Sequence, residues 1–252
     1  ITSFSPSLMH VQFKILNEDF NIIPKIIVIH IDQTDIGDEI CRYKERKVYD
    51  EKGNLIAVKR FNYDKEVFNG LKIYKYSEIK FKNSNLLNFF RLSNFTIKYF
   101  FEKNIFRLKK IYIHGWRTGD QRNYYKCRFK VIKSFLNKKN QDANNYFSQS
   151  LINFLNHLNV NKEIEKIFIT SFPHRNHVEK IYENNVSELI DNVLNNYSDK
   201  FEHIFTDEDY FDELNLDEVY IVGDEASHLT PKYHQKVFIK KIIKKLTEEI
   251  NS

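Results

Sequence analysis

The stretch Glu165-Lys166-Ile167-Phe168-Ile169-Thr170 begins the most regular part of the sequence. Its apolar β-formers predict a strand, and strands and helices then alternate to the end of the chain. The predicted elements are a helix over 175–197, a strand over 201–206, a short helix near 208–214, a strand over 218–222 and a helix over 231–250. This alternation is typical of an α/β fold with a doubly wound, mostly parallel, Rossmann-like sheet. Such sheets bind ligands at the carboxyl ends of their strands.

The N-terminal half of the chain is predicted to add β-structure to this sheet. Residues 10–16 alternate between apolar and polar and predict a strand, and the run Ile26 to Ile31 predicts a strand buried on both faces. Asp50-Glu51-Lys52-Gly53 predicts a hairpin turn. The other predicted elements are strands over 71–81 and 109–114 and helices over 85–106, 122–138 and 146–158. We therefore expect a single α/β domain over residues 1–252, with a β-hairpin-rich insertion at about 35–105.

The composition excludes several classes of protein. The chain has 252 residues, of which 42% are hydrophobic and 29% charged, and no run of 18 apolar residues occurs. A disordered tail and a membrane-spanning helix are therefore not expected. The two cysteines are too few for a disulfide scaffold or an all-cysteine zinc site, and they indicate a reducing, cytoplasmic location. Only six glycines occur, which argues against glycine-rich nucleotide loops.

Charge is unevenly distributed along the chain. Residues 98–139 contain thirteen Lys or Arg and two acidic residues, whereas residues 201–225 contain ten Asp or Glu and no Lys or Arg. The basic segment 98–139 can hold nucleic acid or an acidic protein, which makes a non-catalytic binding module one hypothesis. The alternative is that these basic residues cover the solvent side of helices.

Polar residues follow three of the predicted strands at their carboxyl ends. His30 and Asp32 lie on the same side of the first strand end, because side chains alternate along a strand. Thr170 and Ser171 follow a second strand, where hydroxyls and free backbone amides can hold a phosphate. Asp224 follows the last strand, and a carboxylate in that position suits Mg²⁺. For each group the structural alternative is a polar turn or an ordinary helix cap.

Three of these segments resemble the motifs of the haloacid dehalogenase superfamily of phosphatases. The family's first motif is a strand ending in Asp-x-Asp-x-Thr, and Ile29-His30-Ile31-Asp32-Gln33-Thr34 is similar to it. The second motif is an apolar strand ending in Thr or Ser, as in Ile167 to Ser171. The last motif is an apolar strand followed by Gly-Asp and another acid, which Val219 to Glu225 resembles. The resemblance covers residues 26–34 and 146–245.

The resemblance implies a Mg²⁺-dependent phosphohydrolase that acts on a phosphorylated small molecule or nucleotide. The residues that it implies are His30, Asp32 and Asp224 for catalysis, Asp32 and Asp224 for the metal, and Thr34, Thr170 and Ser171 for phosphate. The sequence departs from the family's pattern at several positions. His30 stands where the family has its nucleophilic Asp, and His228 stands where a second acid is common. The family's conserved Lys is also missing, because no Lys or Arg occurs between Phe201 and Pro231. A degenerate, non-hydrolytic relative is therefore the other form of this hypothesis.

The segment after Val222 also resembles the type I phosphoribosyltransferases. Their signature is an apolar strand, two adjacent acids and a loop that cradles a ribose phosphate, and Asp224, Glu225, Ser227 and Thr230 follow this order. The loop lacks the glycines that allow a backbone to approach phosphate closely. A phosphoribosyl- or glycosyltransferase is thus a further alternative.

Overall fold

The computed structural model describes residues 5–59 and 119–251, apart from 138, 140, 182, 184, 206–213, 223, 225 and 226. The described strands form one parallel sheet and one hairpin. The strands are β1 (Ile26–His30), β2 (Lys47–Tyr49), β3 (Leu55–Val58), β4 (Lys166–Ser171) and β5 (Phe201–Phe205). The elements predicted at 71–81, 85–106, 109–114 and 208–214 lie outside the described residues, as does most of the predicted insertion at 35–105.

The parallel sheet has the strand order β1, β4, β5, with β4 in the centre. Ile169 of β4 lies opposite Ile29 of β1 and opposite His203 of β5. β2 and β3 pair antiparallel across the turn at Gly53, as the sequence predicted. The described residues therefore confirm an α/β protein with a three-stranded parallel sheet.

The described residues contain nine α-helices. They are α1 (Pro6–Glu18), α2 (Gln33–Asp38), α3 (Gly119–Leu136), α4 (Gln141–Asn159), α5 (Arg175–Val178), α6 (Val186–Leu194), α7 (Leu216–Val219), α8 (Pro231–Tyr233) and α9 (Lys240–Ile250). π-helical turns follow α2 and α8, at Glu39–Tyr43 and His234–Ile239. The helix predicted over 175–197 is divided into α5 and α6, because Lys180 adopts a positive φ of 57° and Asn185 caps a new helix.

The strand predicted at residues 10–16 is wrong, because this segment belongs to helix α1. Pro6 occupies the first turn of the helix, where its fixed φ is favourable. His10, Val11 and Phe13 are buried, whereas Ile15 is 44% exposed. The apolar residues that alternate in the sequence therefore do not share one face, and the spacing that decides burial here is helical.

The strand predicted at residues 218–222 is also wrong. Its first half lies in α7, and Tyr220 makes only an isolated antiparallel bridge with Leu229. Ile221 and Val222 are 46% and 70% exposed, so these β-branched residues are not part of a buried strand. The last motif of the haloacid dehalogenase resemblance and the phosphoribosyltransferase resemblance both require a strand here, where the structure has α7 and a bridged loop.

The main core lies between the parallel sheet and the helices that cover it. Helix α4 contributes Phe147, Leu151, Leu155 and Leu158, which are fully buried at spacings of three or four residues. Each such side chain stabilises the fold by about 1.5–3 kcal/mol through burial. A second, smaller core consists of Phe172, Val178, Val219, Tyr220, Leu229 and Tyr233. It packs the loop at 220–229 against the segment that follows β4.

A disulfide bond joins Cys41, just after α2, to Cys127 in α3. The sequence predicted two reduced cysteines, so this bond removes the support for a reducing compartment, because disulfides persist in oxidising environments. Helices α2 and α3 also approach closely at Gly37. A Cβ atom at position 37 would lie 2.7 Å from Cγ of Arg128 and 3.3 Å from its carbonyl oxygen.

The chain divides into two compact units, one of residues 1–58 and 127–252 and one of residues 59–126. The parallel sheet, both cores and the disulfide belong to the first unit. Among the described helices, none combines the length and the apolar character that crossing a bilayer requires.

Candidate functional site

His30 is the last residue of β1 and lies opposite Thr170, near the end of β4. Its Nδ1 is 3.1 Å from the hydroxyl of Thr170, and that hydroxyl donates its proton to the carbonyl oxygen of Ile29 at 3.1 Å. The Thr170 oxygen is therefore the acceptor for an Nδ1–H of His30. This assignment makes Nε2 the basic nitrogen of the neutral ring.

The pKa of His30 is lowered, chiefly by burial of the ring. The carboxylate of Asp32 acts in the opposite direction, while His234 and His228 lower the pKa further. The ring also stacks on Phe172, with centroids 5.5 Å apart. His30 is consequently a neutral imidazole at pH 7, held in one orientation.

Asp32 caps helix α2 in a capping box with Asp35. Its Oδ1 accepts hydrogen bonds from the backbone N of Thr34 at 2.6 Å and from the hydroxyl of Thr34 at 2.5 Å. The carboxylate of Asp35 accepts from the backbone N of Asp32 at 3.0 Å. Burial, followed by the charge of Asp32, raises the pKa of Asp35 well above its ordinary value. The hydroxyl of Thr34, predicted to bind phosphate, thus donates to Asp32.

His228 lies between the carboxylates of Asp32 and Asp224. Its Nδ1 is 2.6 Å from Oδ2 of Asp224, and its Nε2 is 3.7 Å from Oδ2 of Asp32. The same Asp224 oxygen accepts the backbone N–H of His228 at 2.9 Å. Asp224 therefore fixes both the backbone and the ring of His228. The two acids that the sequence predicted at one edge of the sheet meet through this imidazole.

The loop that carries His228 is closed by backbone hydrogen bonds. Ile221 donates its N–H to the carbonyl oxygen of His228 at 2.9 Å, beside the bridge between Tyr220 and Leu229. The hydroxyl of Tyr220 donates to the carbonyl oxygen of Pro173 at 2.9 Å, which ties the loop to the end of β4. Ser227, next to His228, has a positive φ of 55° and contacts Nε2 of His174 at 3.1 Å.

A cavity of about 810 Å³ opens beside β1 and reaches His228. One end is polar and is lined by His30, Asp32, Thr34, Asp35, Arg128 and His228. The rest is apolar, with Met9, Phe13 and Leu16 from α1 facing Val28 of β1. The volume suits a small molecule with an apolar body and a polar end group.

Thr170 and Ser171 are fully buried and are not among the residues that line this cavity. The hydroxyl of Ser171 lies 2.9 Å from the hydroxyl of Ser187 and 2.7 Å from Nε2 of His203. Nδ1 of His203 is in turn 2.7 Å from Oδ1 of Asp191. This order of contacts is that of a serine hydrolase triad. Because Ser171 is fully buried, its contacts instead join β4, β5 and α6.

The donors at the site do not form a set of metal ligands. Within the described ranges, no group of three or more His, Cys, Asp or Glu side chains is arranged to hold a metal ion. Oδ1 of Asp32 accepts from Thr34, and Oδ2 of Asp224 accepts from His228. Magnesium at Asp32 and Asp224 therefore stays a prediction, and we derive no chemical step through it.

Sequence reasoning missed the contributions of His228, His234 and Phe172 to this site. In the sequence, His228 stands out only as a departure from a family pattern. Its spacing of four residues from Asp224 was the available signal, because a tight loop can bring such residues into contact. The stacking of Phe172 on His30 and the electrostatic effect of His234 had no signal in the sequence.

Comparison with known proteins adds no relative to this description: no family model, curated protein or solved structure matches the chain.

Proposed function

We propose that the cavity beside β1 binds a small phosphorylated molecule and that the protein hydrolyses its phosphate ester. The observation that carries this proposal is His228, held by Asp224 and facing Asp32 at the polar end of the cavity. An imidazole oriented by a carboxylate is a common general acid and base. The haloacid dehalogenase-like, doubly wound form of the fold is part of the proposal.

The polar end of the cavity offers hydrogen-bond donors for an anionic group, although the carboxylate of Asp32 also lines it. The donors are the guanidinium of Arg128 and the imidazoles of His30 and His228, and burial favours the uncharged form of Asp35 beside them. Imidazoles hydrogen-bond phosphate oxygens and gain charge when they are protonated. The apolar wall from α1 and β1 supports a ligand whose body is apolar or aromatic. Together these features favour an aryl or similarly apolar phosphate monoester.

In the proposed mechanism, His30 is the acceptor of the phosphoryl group. Its neutral ring has Nε2 as the basic nitrogen, and a phosphorus–nitrogen bond forms there as the ester phosphorus–oxygen bond breaks. His228 gives its proton to the departing oxygen. Water then attacks the phosphorus, His228 takes the proton from this water, and the phosphorus–nitrogen bond breaks to release inorganic phosphate and restore His30.

The first test is release of p-nitrophenol and phosphate from p-nitrophenyl phosphate, measured both with Mg²⁺ and with EDTA. We expect turnover in the wild type and an acid-labile phosphoenzyme at His30. Asp224→Asn is expected to reduce turnover by at least about tenfold, because a neutral amide accepts the Nδ1–H of His228 more weakly than the carboxylate does and no longer stabilises the charged imidazolium. Asp142→Asn makes the same change at an exposed position in α4 and should leave turnover unaffected. Absence of phosphate release across a panel of phosphorylated metabolites contradicts the proposal.

A second candidate function, nucleic-acid binding, is favoured by the exposed face of α3. Lys126, Lys130 and Lys133 are exposed at spacings of four and three residues, beside Phe129, which is 49% exposed. Residues 98–118 of the basic segment lie outside the described residues. A double variant, Lys130→Gln with Lys133→Gln, is expected to weaken binding of mixed-sequence RNA. The slope of log K against log salt concentration should become shallower by the amount expected for about two lost phosphate contacts. Lys162→Gln is the matched control, and RNA binding equal in all three proteins argues against this function.

A further inference from the structure

A second cavity, of about 480 Å³, lies on another face of α1 from the cavity beside β1. It is bounded by α1, the β2–β3 hairpin and α4. The charged and titratable residues that line it are His10, Lys14, Glu18, Lys47, Tyr49 and His157. These residues have no part in the proposed hydrolysis.

The ammonium groups of Lys14 and Lys47 are positioned at this cavity by hydrogen bonds and ion pairs. Nζ of Lys14 is 3.4 Å from the carbonyl oxygen of Leu55 and 3.7 Å from the carboxylate of Glu18, whose side chain is 61% exposed. Nζ of Lys47 is 2.6 Å from the fully buried carboxylate of Glu39 and 3.0 Å from the hydroxyl of Ser150. Water screens the exposed Glu18, so the charge of Lys14 is only weakly compensated.

Two histidines complete the cationic side of the cavity. The rings of His10 and His157 lie 4.5 Å apart, and Nε2 of His157 is buried without a hydrogen-bond partner. Burial, then His157, Lys14 and Lys47, lower the pKa of His10 to about 4. The pKa of His157 is also lowered, by burial and then by Lys14. Lys14 therefore lies close enough to both rings, and Lys47 close enough to that of His10, to disfavour their protonated forms in the free protein.

We propose that this second cavity binds a small oxyanion that carries two or more negative charges, as the charged group of a phosphorylated or sulfated molecule or a polycarboxylate. Lys14 supplies the charge that attracts the anion. Binding next to His10 and His157 makes their protonated forms more favourable, so the anion is bound together with protons. Ser7 and Asn153 lie in the same lining and add hydroxyl and amide groups.

Sulfate is the probe, because its own charge does not change near neutral pH. We expect sulfate to raise the unfolding temperature and to bind in calorimetry, whereas sodium chloride at equal ionic strength does not. The titratable and charged groups around His10 and His157 are Lys14 and Glu18 on α1, Lys47 and Tyr49 on β2, and the nearby Glu39, Asp50 and Tyr146. Since both histidines are neutral in the free protein at pH 7.5, sulfate affinity should rise by up to about tenfold per pH unit for each proton taken up on acidification.

Two variants assign the binding to this cavity. Lys14→Gln removes a charge and is expected to weaken sulfate binding by about tenfold. Asn153→Asp is isosteric at an exposed position and places a carboxylate in the lining, so it should abolish binding without harming the fold. The matched control Lys162→Gln and the other-site variant His228→Gln should bind sulfate as the wild type does.

The proposal is overturned if sulfate has no greater effect than chloride, or if Asn153→Asp and Lys14→Gln bind sulfate as tightly as the wild type. Loss of sulfate binding in His228→Gln would also overturn it, because the ion would then occupy the cavity beside β1. Sulfate that binds the cavity beside β1 as a phosphate analogue is distinguished because it responds to His228→Gln and not to Lys14→Gln or Asn153→Asp.

Discussion

Replacing His228 by Gln is expected to lower turnover of p-nitrophenyl phosphate by about 100- to 10,000-fold, which is the usual contribution of a general acid and base. Glutamine fills much of the same space and can still donate a hydrogen bond to Asp224. It cannot exchange a proton with the leaving group or with water. We therefore expect kcat to fall while KM changes little, because the group acts in the transition state rather than in ground-state binding.

The dependence of turnover on the leaving group gives a readout that a purely structural role would not change. In His228→Gln, kcat should fall further for an alkyl phosphate than for p-nitrophenyl phosphate, because the poorer leaving group needs the donated proton more. The unfolding temperature of the variant is the control, since the side chain is 47% exposed. A variant that folds normally and keeps more than a third of the wild-type kcat would exclude His228 as the proton-transfer group.

Removal of the disulfide is expected to lower the free energy of unfolding by about 4–5 kcal/mol. The bond joins residues 86 positions apart, so it restricts a long loop in the unfolded chain. It also joins the segment after α2 to α3. The same two elements are linked by Nε of Arg128, which lies 3.3 Å from Oδ1 of the fully buried Asp38. Urea denaturation with and without dithiothreitol measures the effect, and we expect a large decrease in the midpoint on reduction.

The double variant Cys41→Ala with Cys127→Ala separates the bond from the reagent. It should have the stability of the reduced wild type and should not respond to dithiothreitol. Alkylation of the unreduced, unfolded protein followed by mass spectrometry counts free thiols directly. Two alkylated cysteines in protein purified without reductant would show that the bond does not form, and the expected loss of stability would then not occur.

The strands of the parallel sheet were predictable from the sequence because the local β-propensity of their residues agrees with the burial of those residues in the folded sheet. Ile167, Phe168 and Ile169 are β-formers and are also fully buried in the central strand. The hairpin at Gly53 was predictable for a similar reason, since Asp50 accepts hydrogen bonds from Lys52 and Asn54 within the turn itself.

The two wrong strands have a common physical cause. Short apolar segments fit a strand or a helix, and the choice between them depends on contacts with the rest of the chain. Phe13 packs in the main core from helix α1, and Val219 packs in the second core from α7. These contacts are between residues far apart in the sequence, and residue order alone does not reveal them.

By itself, the sequence determined the α/β class, the three strands of the parallel sheet and the presence of His30, Asp32 and Thr170 near strand ends, because these features follow from local periodicity and turn chemistry. Only the tertiary structure decided what these polar groups contact. It directs Ser171 to His203, pairs Thr34 with Asp32 and brings Asp224 to Asp32 through His228. The physical reason is that hydrogen bonds and burial depend on distances between segments, which packing sets and local sequence does not.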